Sequence, residues 1–250
     1  MIIDAHAHLS PTTYGSSEHY LELLGQSGID QAVVCPGGML DVRKMNEFVT
    51  GRRKPDVAPG NEYVNHSVLA NPRLHAVACL DPQATQALDA MGRFLEQGFR
   101  GLLVSPLVHS FSFLDDALAD LAALCGERGV PIISHIAWRP GANTGDYVQL
   151  ARRFPQTVFI LEHMGMPPAD MEAADAAASL DNFFLETSLG SYLHVLETVK
   201  KAGASKIIFG SEYPLSHPAL ELKKILLLPL SGTDHERILG GNIQTLLHLQ

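Results

Sequence analysis

IIDAHAH, residues 2–8, is a short apolar run that gathers three chemistry-bearing side chains before it ends. As a β-strand its alternation places Ile2, Asp4, His6 and His8 on one face. A single histidine on a buried face is most often a hydrogen-bonded core residue. Two at this spacing bring two imidazoles within reach of one metal ion, and Asp4 offers a carboxylate that would orient them. Whether that face is an interior depends on the sheet to which the strand belongs.

Seven more short β-rich runs follow: 31–35 (QAVVC), 74–80 (LHAVACL), 101–105 (GLLVS), 131–136 (PIISHI), 157–162 (TVFILE), 182–187 (NFFLET) and 206–210 (KIIFG). Between them, segments such as 84–97, 114–128, 191–202 and 234–248 repeat apolar residues at three- and four-residue intervals, the spacing of a helix face. Leu114, Leu118, Leu121 and Leu124 form one such face, and Gly129-Val130-Pro131 stops that helix and begins the next strand. Eight alternations of strand and helix predict a (β/α)8 TIM barrel, one α/β domain over residues 1–250, closed by a helix around Ile238 to Leu249. An open doubly wound sheet is the alternative, but no GxGxxG follows the first strand. The stretch 40–62, rich in Gly, Pro and charge, is long for a connection and reads either as a lid or insertion loop or as a solvated excursion.

With 46% hydrophobic and 18% charged residues, the 250-residue chain has the composition of an ordinary globular protein. Its net charge of −9 and the lack of any basic run longer than Arg52-Arg53-Lys54 exclude an extended phosphate-binding surface, so nucleic acid is not an expected partner. Cys35, Cys79 and Cys125 show no CxxC spacing and read as reduced, buried thiols. Neither a signal peptide nor an apolar stretch long enough for a membrane span is visible, and a cytoplasmic protein acting on a small molecule is expected.

In a barrel, the C-terminal ends of all strands meet at one rim, where active sites form. His135 ends PIISH, His163 follows VFILE and Glu212 follows KIIFGS, so with His6 and His8 five imidazole or carboxylate groups converge there. Trp138 and Arg139, in the loop after His135, are candidates for an apolar wall and a carboxylate contact. His109, Tyr213 and Arg52 are further candidate substrate contacts, each equally readable as an ordinary loop residue.

DAHAH, SHIAW, LEHMG, FGSEYP and the closing RILGGNIQTLLHL together resemble the amidohydrolase superfamily, in its amidohydrolase-related, aminocarboxymuconate-semialdehyde-decarboxylase-like branch. The resemblance spans essentially the whole chain. It implies that His6, His8 and His135 are ligands of one divalent metal, Zn2+ ordinarily, with Mn2+ or Fe2+ as alternatives. It also implies that His163 positions water or substrate and that Glu212 stands where the family usually has Asp. Leu103 occupies the position of the lysine that bridges two metals in binuclear relatives, and Ser105 that of a frequent histidine, so a single ion is expected. The extra methylene of Glu212, about 1.5 Å of reach, leaves it either folded back as a ligand or standing off as general base, and the second is the preferred expectation.

These parts point to a metal-dependent hydrolase of a small lactone, ester or amide. A non-oxidative decarboxylase or hydratase of a small aromatic or dicarboxylic acid is the alternative, and a non-catalytic metal-binding barrel is the third. A homodimer is the oligomer that relatives of this branch suggest.

Overall fold

In a computed structural model of the chain, which describes residues 1–55 and 57–249, the first strand, β1 (Ile3–Leu9), lies parallel to β2 (Gln31–Pro36), and β2 to β3 (Leu74–Ala76). The remaining segments, β4 (Ala78–Cys79), β5 (Leu102–Leu103), β6 (Ile132–Ser134), β7 (Phe159–Leu161), β8 (Phe183–Glu186) and β9 (Ile207–Ile208), pair in chain order and all in parallel. β3 and β4 are two pieces of one strand broken at Val77, whose N–H still reaches Val34 O at 2.9 Å. The nine segments are therefore eight strands. Backbone bonds from Ala5 N to Phe209 O (3.0 Å), Glu212 N to His6 O (2.8 Å) and His8 N to Tyr213 O (2.7 Å) join the last strand to the first. The result is the predicted barrel.

Helices α1 (Ser17–Ser27), α2 (Met45–Val49), α3 (Asn61–Ala70), α4 (Ala87–Glu96), α5 (Asp116–Arg128), α6 (Thr144–Arg153), α7 (Met171–Ser179), α8 (Tyr192–Ala202) and α9 (Pro218–Leu226) fill the connections. Their starts are fixed by side-chain caps such as Ser16, Asp170 and Ser191, and by the Asn143–Asp146 capping box, which satisfy otherwise orphaned N–H groups. The helix expected over 234–248 is instead α10 (Gly232–Glu236), a π-helical turn at Arg237–Gly241 and α11 (Asn242–Leu246). Close packing accompanies the π turn at Gly240, where a Cβ would come within 2.5 Å of Met1 O.

Strand alternation sorts the core into two layers. Ile3, Ala5, Val33, Leu103, Ile133, Ile160 and Ile208 fill the barrel, plugged by Ile243, Leu247 and Leu249 from the chain's C-terminal end. Leu102, Val104, Ile132, Phe159, Leu161, Phe183 and Ile207 pack outward against the helices. In β1 the phase changes. Its register slips between Asp4 and Ala7, so Ala5 faces inward while Ala7 and Leu9 face the helices.

That slip turns His6 and His8 into the barrel but leaves Asp4 on the outer face. There Asp4 accepts hydrogen bonds from Tyr20 Oη (2.7 Å), Ser211 N (2.8 Å) and Ser211 Oγ (2.5 Å). Asp4 therefore does not share the histidines' face as the simple alternation predicts. Burial pushes its carboxyl up to about 6, against the opposing pull of the Ser211 and Tyr20 hydrogen bonds.

Within the 40–62 segment, a 3-10 turn at Val42–Lys44 leads into α2, and Leu40, Val42, Met45 and Val49 reach the cavity at the rim. Asp56 of that segment, like Gln250, lies outside the described residues. Among the described residues no helix is long and apolar enough to cross a membrane.

Candidate active site

Three donor atoms approach His6 Nε2 where β1, β7 and β9 end. His6 Nε2 lies 3.1 Å from His8 Nε2, 3.1 Å from Glu162 Oε1 and 2.9 Å from Glu212 Oε2, and His8 Nε2 lies 3.6 Å from the same Glu212 oxygen. Ligands held about 2.1 Å from one ion stand roughly 3.0–3.4 Å apart for octahedral to tetrahedral angles. Two of the four spacings, both 3.1 Å, fall in that range, and 2.9 Å lies just below it and 3.6 Å just above.

Glu162 Oε1 and Glu212 Oε2 are both buried, and neither makes a hydrogen bond of acceptable geometry. A buried carboxylate oxygen without a donor is costly, and two aimed at one imidazole nitrogen call for a cation between them. The residues present thus fit a divalent ion. Burial works against charge on His6, but Glu162 and Glu212 raise it well above the ordinary histidine range. His8 is raised likewise against its burial, by Cys35 and Glu212. Burial would push Glu212 up, yet the charges of His6 and His8 hold it well below the usual carboxylate range.

The orienting carboxylate is Glu186, at the end of β8. Its Oε2 accepts from His6 Nδ1 (3.0 Å), Ser188 Oγ (2.7 Å) and His163 N (3.3 Å), and its Oε1 from Ser188 N (2.5 Å). His163 Nδ1 in turn meets Ser188 Oγ at 2.9 Å. Because the Ser188 hydroxyl donates to Glu186, its oxygen must accept from His163 Nδ1–H. The lone pair of a neutral His163 then sits on Nε2, 3.9 Å from Glu212 Oε2. One relay therefore sets the tautomers of both His6 and His163. His8 is fixed separately, its Nδ1 lying 2.8 Å from Pro36 O.

Both rim positions carry backbone strain. His163 (φ 59°) and Glu212 (φ 56°) adopt the left-handed conformation, which costs a non-glycine residue about 1–2 kcal/mol. At 163 the turn brings consecutive residues, Glu162 and His163, to the same cavity. Gly210 permits the close approach, since a Cβ there would lie 2.4 Å from Glu186 Oε1 and 2.8 Å from His6 Cβ.

His135 lines the cavity with its Nε2 held by Ser105 Oγ at 2.7 Å. Burial lowers its pKa below the ordinary histidine value. Above the floor the cavity opens to about 600 Å³. Its wall includes Met39, Leu107, Ile136, Met166 and Leu189, with Trp138, 70% exposed, at the mouth. No lysine or arginine lines it among the described residues.

The other expected contacts stand away from this wall. The Arg139 guanidinium donates to Phe111 O at 2.6 Å, Tyr213 stacks on Tyr20 at 4.5 Å and donates to Tyr14 O, Arg52 is exposed, and His109 does not border the cavity. Conversely, Glu162, Glu186 and Ser188 were not singled out by the sequence reading. Their signal is the one that marks Glu212, a polar side chain where an apolar run stops, as in VFILE and NFFLETS.

A family model for amidohydrolases matches residues 3–249. The chain belongs to the amidohydrolase family. No curated protein sequence matches it. Among solved structures, an uncharacterised TIM-barrel protein from Bordetella bronchiseptica superposes on this amidohydrolase with a TM-score of 0.80 at 20% identity, covering 99% of this chain and 98% of that one. A probable 2-pyrone-4,6-dicarboxylic acid hydrolase from Acinetobacter baumannii, with citric acid bound, gives 0.72 at 14% identity over 99% of both chains. A dihydroxybenzoic acid decarboxylase from Polaromonas, with bound manganese and the inhibitor 2-nitroresorcinol, gives 0.73 at 17% identity over 99% of this chain and 97% of that one. Such likeness shows a shared fold that carries both hydrolytic and decarboxylating enzymes.

Proposed function

We propose that this amidohydrolase is a metal-dependent hydrolase of an uncharged, largely apolar small molecule with a lactone, ester or amide carbonyl. The observation that carries the reading is the cavity itself, a floor of metal-ligating side chains beneath an apolar wall that has no lysine or arginine among the described residues. Beyond the ion at the floor, a substrate carboxylate would find no guanidinium or ammonium on this wall to hold it, among the described residues. That disfavours aromatic acids and dicarboxylates, the substrates of the decarboxylase alternative.

His6, His8 and Glu212 would hold the ion. When bound, a divalent ion supplies an acidified water and polarises the carbonyl. Glu212, its Oε2 at ligand spacing from both histidines, acts as a ligand and not as a detached base. The base is then His163. Its Nε2 lone pair faces the cavity, accepts a proton from the attacking water as the new C–O bond forms, and returns it to the departing oxygen or nitrogen. Ser188 and Glu186 hold the tautomer that makes this possible. Trp138 and the side chains of Leu40, Val42, Met45 and Val49 cover the apolar part of the substrate and keep bulk water away.

The test is a substrate panel on metal-loaded protein: neutral lactones and alkyl esters against hydroxybenzoates and pyrone dicarboxylates, following acid release and CO2. Turnover of neutral carbonyl compounds without CO2 is expected. Release of CO2 from an aromatic acid, with no hydrolysis of any neutral compound, would refute the assignment.

A further inference from the structure

The family resemblance predicts three imidazoles, those of His6, His8 and His135, around the ion. The side chains are arranged differently. Glu162 follows β7 and is 1% exposed, and its Oε1 lacks a hydrogen-bond donor while standing 3.1 Å from His6 Nε2. It thus occupies the same relation to His6 as Glu212 does at 2.9 Å. His135, by contrast, has its Nε2 engaged by Ser105 Oγ at 2.7 Å and its Nδ1 at 3.2 Å from Ile136 O. Among the described residues it forms no ion pair with either carboxylate. On the family resemblance Ser105 stands where a histidine is frequent, so its hydrogen bond to His135 accompanies that departure.

We propose that Glu162 is a metal ligand in this chain, completing with His6, His8 and Glu212 a site of two imidazoles and two carboxylates, while His135 stays outside the coordination sphere as a wall residue held by Ser105. The inference rests on the metal-dependent reading above and replaces one ligand of the expected set. Its chemistry differs from that set. Two carboxylates cancel the charge of a divalent ion, whereas three imidazoles and one carboxylate leave a net positive charge. The oxygen-richer set also suits manganese-type ions better than a three-imidazole set does.

A competing account of Glu162 exists within the structure. A cavity of about 10 Å³ lies beneath it, lined by Ala5, His6, Val33, Leu103 and Ile133, with room for about one water. A water there would satisfy Glu162 without involving an ion. The two accounts differ in what Glu162→Gln does to metal affinity.

Chelator-stripped wild type, Glu162→Gln and His135→Asn are titrated with Mn2+, with affinity read by calorimetry and by the loss of the free-ion electron paramagnetic resonance signal. The expected result is a loss of roughly 100-fold or more in Mn2+ affinity for Glu162→Gln, and a change of less than about threefold for His135→Asn. Retained affinity in Glu162→Gln together with loss in His135→Asn would overturn the proposal and leave the hydrolase reading standing. Wild type that binds neither Mn2+ nor Zn2+ would overturn both. If Glu162→Gln does not fold, Glu162→Asp keeps the charge and withdraws it by one methylene. It is expected to fold and still to lose affinity at least tenfold, and wild-type affinity in that variant counts against the assignment.

Discussion

Replacing Glu186 by Gln isolates the relay that orients the site, because it alters no atom facing the cavity. The carboxylate takes four donors, three on Oε2 and one on Oε1. Glutamine keeps a single acceptor oxygen. Placed at the Oε2 position, it leaves the Ser188 N–H facing an amide N–H, an orphaned buried donor worth about 1–3 kcal/mol. The bonds to His6 and Ser188 also lose their charge assistance, for about 1 kcal/mol more. The Glu186→Gln variant should therefore be less stable by about 2–4 kcal/mol in urea denaturation at neutral pH with chelator present. With the His6 tautomer no longer imposed, metal affinity should fall by about 10–100-fold, the usual cost of losing the carboxylate behind a ligating histidine. A stability change under about 0.5 kcal/mol with Mn2+ affinity within twofold of wild type would show that the relay does not orient His6.

Metal-free protein should also lose stability as pH rises. His6 and His8 are raised above 6.5 in the folded state, so their contribution is complete below that value and disappears as pH climbs through the higher folded values. Glu212, lowered below 4.5, adds stability above that value and loses it as pH falls through its folded value. Urea midpoints of stripped protein should thus decline above neutrality, and saturating Mn2+ should remove the decline; a flat profile in stripped protein contradicts the pairing. Gly210→Ala drives a methyl group into Glu186 and His6 and should destabilise by about 1–3 kcal/mol by urea denaturation, as overpacking does. His163→Gln should cut kcat by at least about 100-fold while Mn2+ affinity stays within threefold, the split between kcat and binding marking His163 as the base. Adding metal to 100 times its Kd should stabilise stripped protein by about 2.7 kcal/mol, read as a rise in Tm.

Much of the architecture was legible because each barrel strand is a short apolar run, and most of the chemistry-bearing residues stand at or near the end of such a run. His6, His8, His135, His163 and Glu212 stood out for that reason. Asp4 was misplaced because period-two alternation cannot reveal a register slip, which depends on how β1 pairs with β2. Glu162 and Glu186 escaped because a glutamate ending a strand looks like one that has reached solvent. Only closure of the barrel puts them at 1% exposure beside His6. The substrate contacts expected of Arg139 and Tyr213 depended on loop paths, and in those loops both side chains are spent on backbone carbonyls.

The cation-free wall also bears on how a catalytic cycle would end. Hydrolysis of a neutral ester or lactone turns an uncharged guest into a carboxylate anion, and among the described residues this cavity offers the anion no lysine or arginine on its walls. Substrate enters by hydrophobic burial, whereas the product carries a charge that the apolar wall does not stabilise. On the proposed reaction, the acid product should inhibit only at concentrations well above the substrate KM, and turnover should not be limited by product release.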